Sequence, residues 1–185
     1  VVLKPGQDNP QLIFESLNST GLALTQADLV RNYVLMGHDE PQQSEWYEAW
    51  WRPLEQAFGS NYRAGFDNFL RDFLTLELRP PRPLKLDSVY REFRHWYPTP
   101  GDASKEAENR LSLERLLRFG RHYCCFMFNP QGVGRPEVGL KRLQQLVDVA
   151  APVAMVLLER WRHEGVMTED EVVEALDLLE SYVLR

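Results

Sequence analysis

The chain has 185 residues, is 44% hydrophobic and carries a net charge of −6. This composition is that of a globular chain, for which disorder is not the default, and suits one domain, or one and a half, with a substantial buried core. No apolar run approaches the roughly 20 residues of a membrane helix, and the acidic balance denies the chain as a whole an electrostatic footprint for a phosphate backbone.

The opening Val1-Val2-Leu3-Lys4 has neither an initiator Met nor a signal-peptide core, so a chain cut from a longer protein is expected. Val1-Val2-Leu3 is β-like and ends at Pro5-Gly6. A lone strand cannot satisfy its own backbone, so residues 1–7 read as the remnant of a sheet in an upstream domain. Residues 8–185 then read as a helical domain. Asp8-Asn9-Pro10 supplies a cap and a first-turn proline, and Pro10, Ile13, Phe14 and Leu17 follow the i, i+3, i+4, i+7 pattern. Ser19-Thr20-Gly21 breaks that helix. Thr25-Gln26-Ala27-Asp28 predicts a capping box opening the next, with an apolar stripe Leu24, Ala27, Val30, Val34 and a stop at Gly37.

Residues 41–58 read as helical with an interruption at Pro53 that kinks the helix or starts a new one. Phe66, Phe69, Leu70, Phe73 and Leu76 predict one face of a further helix. Arg79-Pro80-Pro81-Arg82-Pro83 reads as a stiff linker, and a break near 79–85 would allow two subdomains. Beyond it, Leu86, Val89, Tyr90, Phe93 and Trp96 predict another helical face. A long helix is expected over 104–128 through Leu113, Leu116, Leu117, Cys124 and Met127, followed by a turn at 129–134 and helices near 136–149 and 152–164. Thr168 with Glu171 predicts a capping box for the last helix, with Val172, Ala175, Leu176, Leu179 and Val183 inward. The expected fold class is all-α, an irregular bundle of about nine helices.

Few residues stand out chemically. Cys124 and Cys125 are adjacent and point about 100° apart on a helix, which suits neither an ordinary structural disulfide nor a metal site. A reduced, cytoplasmic setting follows. His38, His95, His122 and His163 form no ligand spacing. Trp46, Tyr47, Trp50 and Trp51 fit a core at helical spacing better than base stacking. Arg110, Arg115, Arg118, Arg121 and His122 make a local basic cluster; a solvated helix face explains it, and Arg118 and Arg121 are its candidates for a DNA-backbone contact. Asp28, Arg31 and Asn32 share one helical face, and Gln11 and Glu15 line the preceding helix with Asn18. These polar faces fit a surface ion pair or a seam docking an upstream domain, where Arg31 would offer its planar fork. The turn Asn18-Ser19-Thr20-Gly21 suits a helix C-terminus with Gly21 at positive φ, or a phosphate cradle beside the helix starting near Thr25.

The run from Phe14 to Asn32, F-x-x-x-N-x-x-G-x-x-L-x-x-x-D-L-x-R-N, resembles the signature of the GmrSD-like type IV (modification-dependent) restriction endonucleases. In that family a ParB-like domain carrying D-G-Q-Q-R precedes this segment and an HNH-type nuclease domain follows the helical region. The ParB nucleotide-binding helix has a Leu six and an acid ten residues after its Asn, the offsets of Asn18, Leu24 and Asp28. Leu17 stands where ParB has Glu, and Thr20-Gly21 replace Gln-Arg, so hydrolytic chemistry does not carry over. Weaker likeness continues through Trp51–Glu55, Phe66–Thr75 and Leu179–Arg185.

The resemblance implies a catalytically inert helical connector that completes a nucleotide pocket through Asn18, Ser19, Thr20 and Gly21. Its partners would be the ParB-like and HNH-type domains of the same polypeptide, with DNA reached through the whole protein and no membrane role. NTP and Mg²⁺ belong to the parent protein, with no cofactor bound by the fragment alone. Another reading, from a different class, is a helical protein-interaction module; a free-standing enzyme with a carboxylate site is a third.

Overall fold

The computed structural model describes residues 24–146 and 150–184. The expected strand remnant at 1–7 and the expected helix at 10–17 lie outside them. Among the described residues every regular element is helical. In chain order they are α1 (Gln26–Leu35), α2 (Glu40–Trp46), a π-turn (Tyr47–Trp51), α3 (Arg52–Phe58), α4 (Tyr62–Leu78), α5 (Val89–Trp96), α6 (Glu106–Met127), α7 (Pro136–Leu146), α8 (Ala151–Arg162) and α9 (Glu169–Val183). Seven of these helices run eight residues or more, while α2 and α3 are shorter and joined through the π-turn.

The core is built on α4. Phe66, Phe69, Leu70, Phe73 and Leu74 are all fully buried there, at the spacing that puts them on one broad stripe. Around them Trp51, Phe58, Tyr123 and Phe128 make edge-on and tilted ring contacts, with Phe58–Phe66 centroids 5.0 Å apart and Phe69–Tyr123 5.5 Å apart. Helix α6 packs against α8 and α3, α7 packs against α9, and α5 lies against α4 and α1. The chain thus returns after the proline-rich 79–85 stretch onto the helix that precedes it.

The Pro53 expectation has a specific outcome. Proline lacks the N–H that an α-turn requires at that point, and the chain widens into a π-turn just before it, where the Arg52 N–H bonds to the Tyr47 carbonyl. Pro53 then sits in the first turn of α3. In a straight α-helix residues five apart lie about 140° apart; the wider turn brings both Trp46 and Trp51 into the core, at 2% and 1% exposure.

Two predicted faces are narrower than the sequence suggests. Leu86 precedes α5 in a single 3₁₀ turn and is exposed, and Val183, expected inward, is exposed at the end of α9. Both sit where the helix has too little remaining length to hold the side chain against a neighbour. Gly37 and Gly101 serve a close approach: a Cβ on Gly37 would lie 2.3 Å from the Pro100 carbonyl carbon, so only the bare backbone fits between α1 and the 97–105 loop.

Candidate functional site

The described half of the signature, Leu24 to Asn32, forms the start of α1 and is held from three directions. Thr25 and Asp28 form the predicted capping box: the Asp28 N–H donates to Thr25 Oγ1 at 3.1 Å and the Thr25 N–H donates to Asp28 Oδ2 at 3.2 Å. Asp67, on α4, accepts from the backbone N–H groups of Gln26 at 3.2 Å and Ala27 at 2.8 Å. The Gln26 side chain in turn accepts from the Tyr90 N–H on α5 at 2.8 Å.

These bonds change what the helix start can do. From the sequence, free N–H donors are expected in the 18–21 turn, with the start of this helix adding a positive dipole end close by. The donors of residues 26, 27 and 28 are already engaged, and the Asp67 carboxylate offsets the dipole. Anion binding at this helix start would have to use side chains.

Side chains are available next to it. Thr25, Asp28, Arg31, Tyr62 and Arg63 border a depression of about 450 Å³ together with Leu24 and Ala27. Arg31 bridges two elements, with Nη2 3.2 Å from Asp28 and Nη1 3.6 Å from Glu55 on α3. Glu55 also accepts from the Tyr47 hydroxyl at 2.7 Å, which raises the Tyr47 pKa above the ordinary phenol value. Tyr62 accepts from the Trp51 indole N–H at 2.9 Å, and burial raises its pKa strongly, so it stays a neutral phenol. Arg63 forms no ion pair among the described residues. The depression therefore presents two guanidinium groups and one carboxylate on a neutral aromatic wall.

Of the residues singled out from the sequence, Asp28 and Arg31 meet in this depression. Asn32 is half-buried on the same helix. Gln11, Glu15, Asn18, Ser19, Thr20 and Gly21 lie outside the described residues. The basic cluster on α6 is divided among carboxylates. Arg110 pairs with Glu106 at 3.0 Å and Glu45 at 3.3 Å, and Arg115 with Glu77 at 2.9 Å. Arg118 Nε donates to the buried Glu159 at 3.2 Å, whereas Arg121 is exposed. An Arg118→Glu substitution would set a second carboxylate against Glu159, so it probes folding before it probes any ligand.

The buried cluster around Glu159 is what the sequence reading missed. Its other oxygen lies 2.9 Å from His122 Nε2. Burial lowers the His122 pKa; Glu159 pulls it back, while Arg162 and Arg118 push the same way as burial. Neutral His122 thus donates Nε2–H to a carboxylate whose charge Arg118 already offsets. The signal was present in the sequence: Glu159 falls in the inward stripe Ala151, Ala154, Met155, Leu158, Glu159 of α8, where an acid demands a partner. The two cysteines of α6 are free thiols. Burial raises Cys124 to about 12, and it raises Cys125 as well, partly offset by Arg162.

No family model matches this chain, and no curated protein or solved structure matches it.

Proposed function

We propose that this chain is the non-catalytic helical connector of a GmrSD-like, nucleotide-dependent restriction endonuclease directed at modified DNA. In this reading it completes a nucleotide pocket shared with an upstream ParB-like domain and links that pocket to a C-terminal HNH-type nuclease. The observation that carries the reading is the signature from Phe14 to Asn32. The anchoring of its second half supports it. Thr25, Asp28 and Arg31 stand around one depression and follow residues 18–21 directly in the sequence, and Asp67, Gln26 and Tyr90 fix that helix to α4 and α5. A rigid mount of this kind suits a wall that must hold a ligand shared with another domain.

The nucleotide and Mg²⁺ belong to the parent enzyme, and the 185-residue chain alone is catalytically inert. Nucleotide affinity of the parent protein, measured by titration calorimetry with and without Asn18→Ala, tests the assignment. A loss of tenfold or more is expected, and unchanged affinity sinks it. Nucleotide turnover or DNA nicking by the pure chain would contradict the connector role.

A specific observation favours a second reading, a helical protein-interaction module. Val153 and Leu157 of α8 with Ala175, Leu178, Leu179 and Tyr182 of α9 line an apolar groove of about 520 Å³, and Leu178 and Tyr182 are 71% and 82% exposed. That reading requires a stable complex whose affinity does not change with nucleotide.

A further inference from the structure

The basic cluster on α6 is largely engaged by carboxylates, which leaves other cations as candidates for a phosphate-binding surface. Between residues 79 and 95 five basic residues, Arg79, Arg82, Lys85, Arg91 and Arg94, face two acids, Asp87 and Glu92. The excess of three positive charges lies within a chain whose net charge is −6. Charge of one sign gathered on a short surface segment steers polyanions even when the whole molecule repels them.

The structure shapes this segment into a surface. Arg82, Lys85 and Arg91 border one shallow depression of about 530 Å³ with Pro83 and Ser88. Arg82 and Lys85 are exposed and form no ion pair among the described residues. Arg91 shares its charge with neighbouring Glu92 at 2.9 Å, and both Asp87 and Glu92 border the depression, which leaves it an excess of one positive charge. Arg94, one turn along α5 from Arg91, lies exposed with its guanidinium 5.5 Å from the Tyr33 ring centre and 5.8 Å from that of Tyr90. Pro80, Pro81 and Pro83 fix φ on both sides of Arg82, which lowers the entropy lost when that stretch engages a ligand. Among the described residues of 79–95, Leu86 is the sole large apolar side chain counted as exposed. A membrane surface needs an apolar anchor beside its cations, and one leucine supplies little of it.

We propose that Arg82, Lys85 and Arg91 form a contact site for the phosphate backbone of DNA. The choice of DNA over another polyanion rests on the connector reading. The geometry gives no base-specific contact; long flexible cations around an open depression position a duplex without reading its sequence.

The test is fluorescence anisotropy of a labelled DNA duplex titrated with the 185-residue chain across a series of salt concentrations. The unaltered chain should bind with a salt-dependent affinity. Arg82→Glu with Lys85→Glu should weaken binding at least tenfold at low salt and reduce the log–log salt slope by about 2. The neutral pair Arg82→Gln with Lys85→Gln should reduce the slope similarly, which separates lost contacts from added repulsion. Arg121→Glu, at an exposed position on α6 that does not border this depression, should change the slope by less than half as much. The proposal is overturned if the unaltered chain binds no DNA, if the double variants bind as it does, or if Arg121→Glu matches their loss. Binding to phosphatidylserine vesicles in place of DNA would overturn it in favour of a membrane. The nucleotide affinity of Asn18→Ala uses a different ligand and different residues, so failure here leaves the connector reading to stand or fall on that measurement.

Discussion

Glu159 is 2% exposed and meets two partners of unequal exposure. Arg118 reaches water with 28% of its side chain, while His122 is enclosed with 10%. Removing the charged partner is the more damaging change, because it leaves the buried carboxylate with neutral His122 as its remaining donor. Arg118→Met should cost about 3–5 kcal/mol of unfolding free energy. Glu159→Gln should cost less, since the guanidinium it releases can turn to solvent. Urea denaturation of both variants checks the order, and a larger loss for Glu159→Gln would refute it. None of this was legible from the arginine spacing on α6. The angles of Arg115, Arg118 and Arg121 describe a solvated face, and only the packing of α8 against α6 turns one of them inward to an acid 41 residues away.

Elements show a closer match between pattern and outcome. Capping boxes at Thr25 and Thr168 form as their spacing predicts, since each needs only residues three apart in sequence. The same locality explains why the stripes on α4 and α6 fall in the core. What the pattern leaves out are contacts at long separation, such as Asp67 capping α1 from 40 residues downstream. Close backbone approach is another. A Cβ on Gly37 would meet the backbone of Pro100 at 2.3 Å, whereas one on Gly120 would meet the Leu54 Cδ2 methyl at 2.6 Å. A methyl at the end of a side chain can swing away and a backbone carbonyl cannot. Gly37→Ala should thus lower stability by roughly 1–3 kcal/mol and Gly120→Ala by less. Thermal melts of the pair decide it, and equal losses would mean the 97–105 loop yields more easily than its geometry implies.

At the scale of the whole molecule, stability should depend on pH through the enclosed histidines. Burial lowers His122, and His38 with it, from the ordinary value of 6.5. Above 6.5 both states are neutral and nothing is lost. As pH falls below 6.5 the unfolded chain takes up protons that the native state resists, so stability declines through that window toward the lowered native values, at no more than about 1.4 kcal/mol per pH unit for each histidine. Denaturant midpoints between pH 7 and 5.5 should fall, and His122→Gln should flatten the fall. A midpoint that rises on acidification would show that Glu159 outweighs burial.

The helical class, the two capping boxes, the central aromatic stripe and the resemblance around Asn18 follow from the sequence alone, because each depends on residues within a few turns of one another. Only the tertiary structure decided which charges are free. It engaged the helix start at Thr25 with Asp67, engaged Arg118 with Glu159, and left Arg82 and Lys85 without ion-pair partners among the described residues. An ion pair depends on which surfaces meet across the fold, and local periodicity carries no record of that meeting.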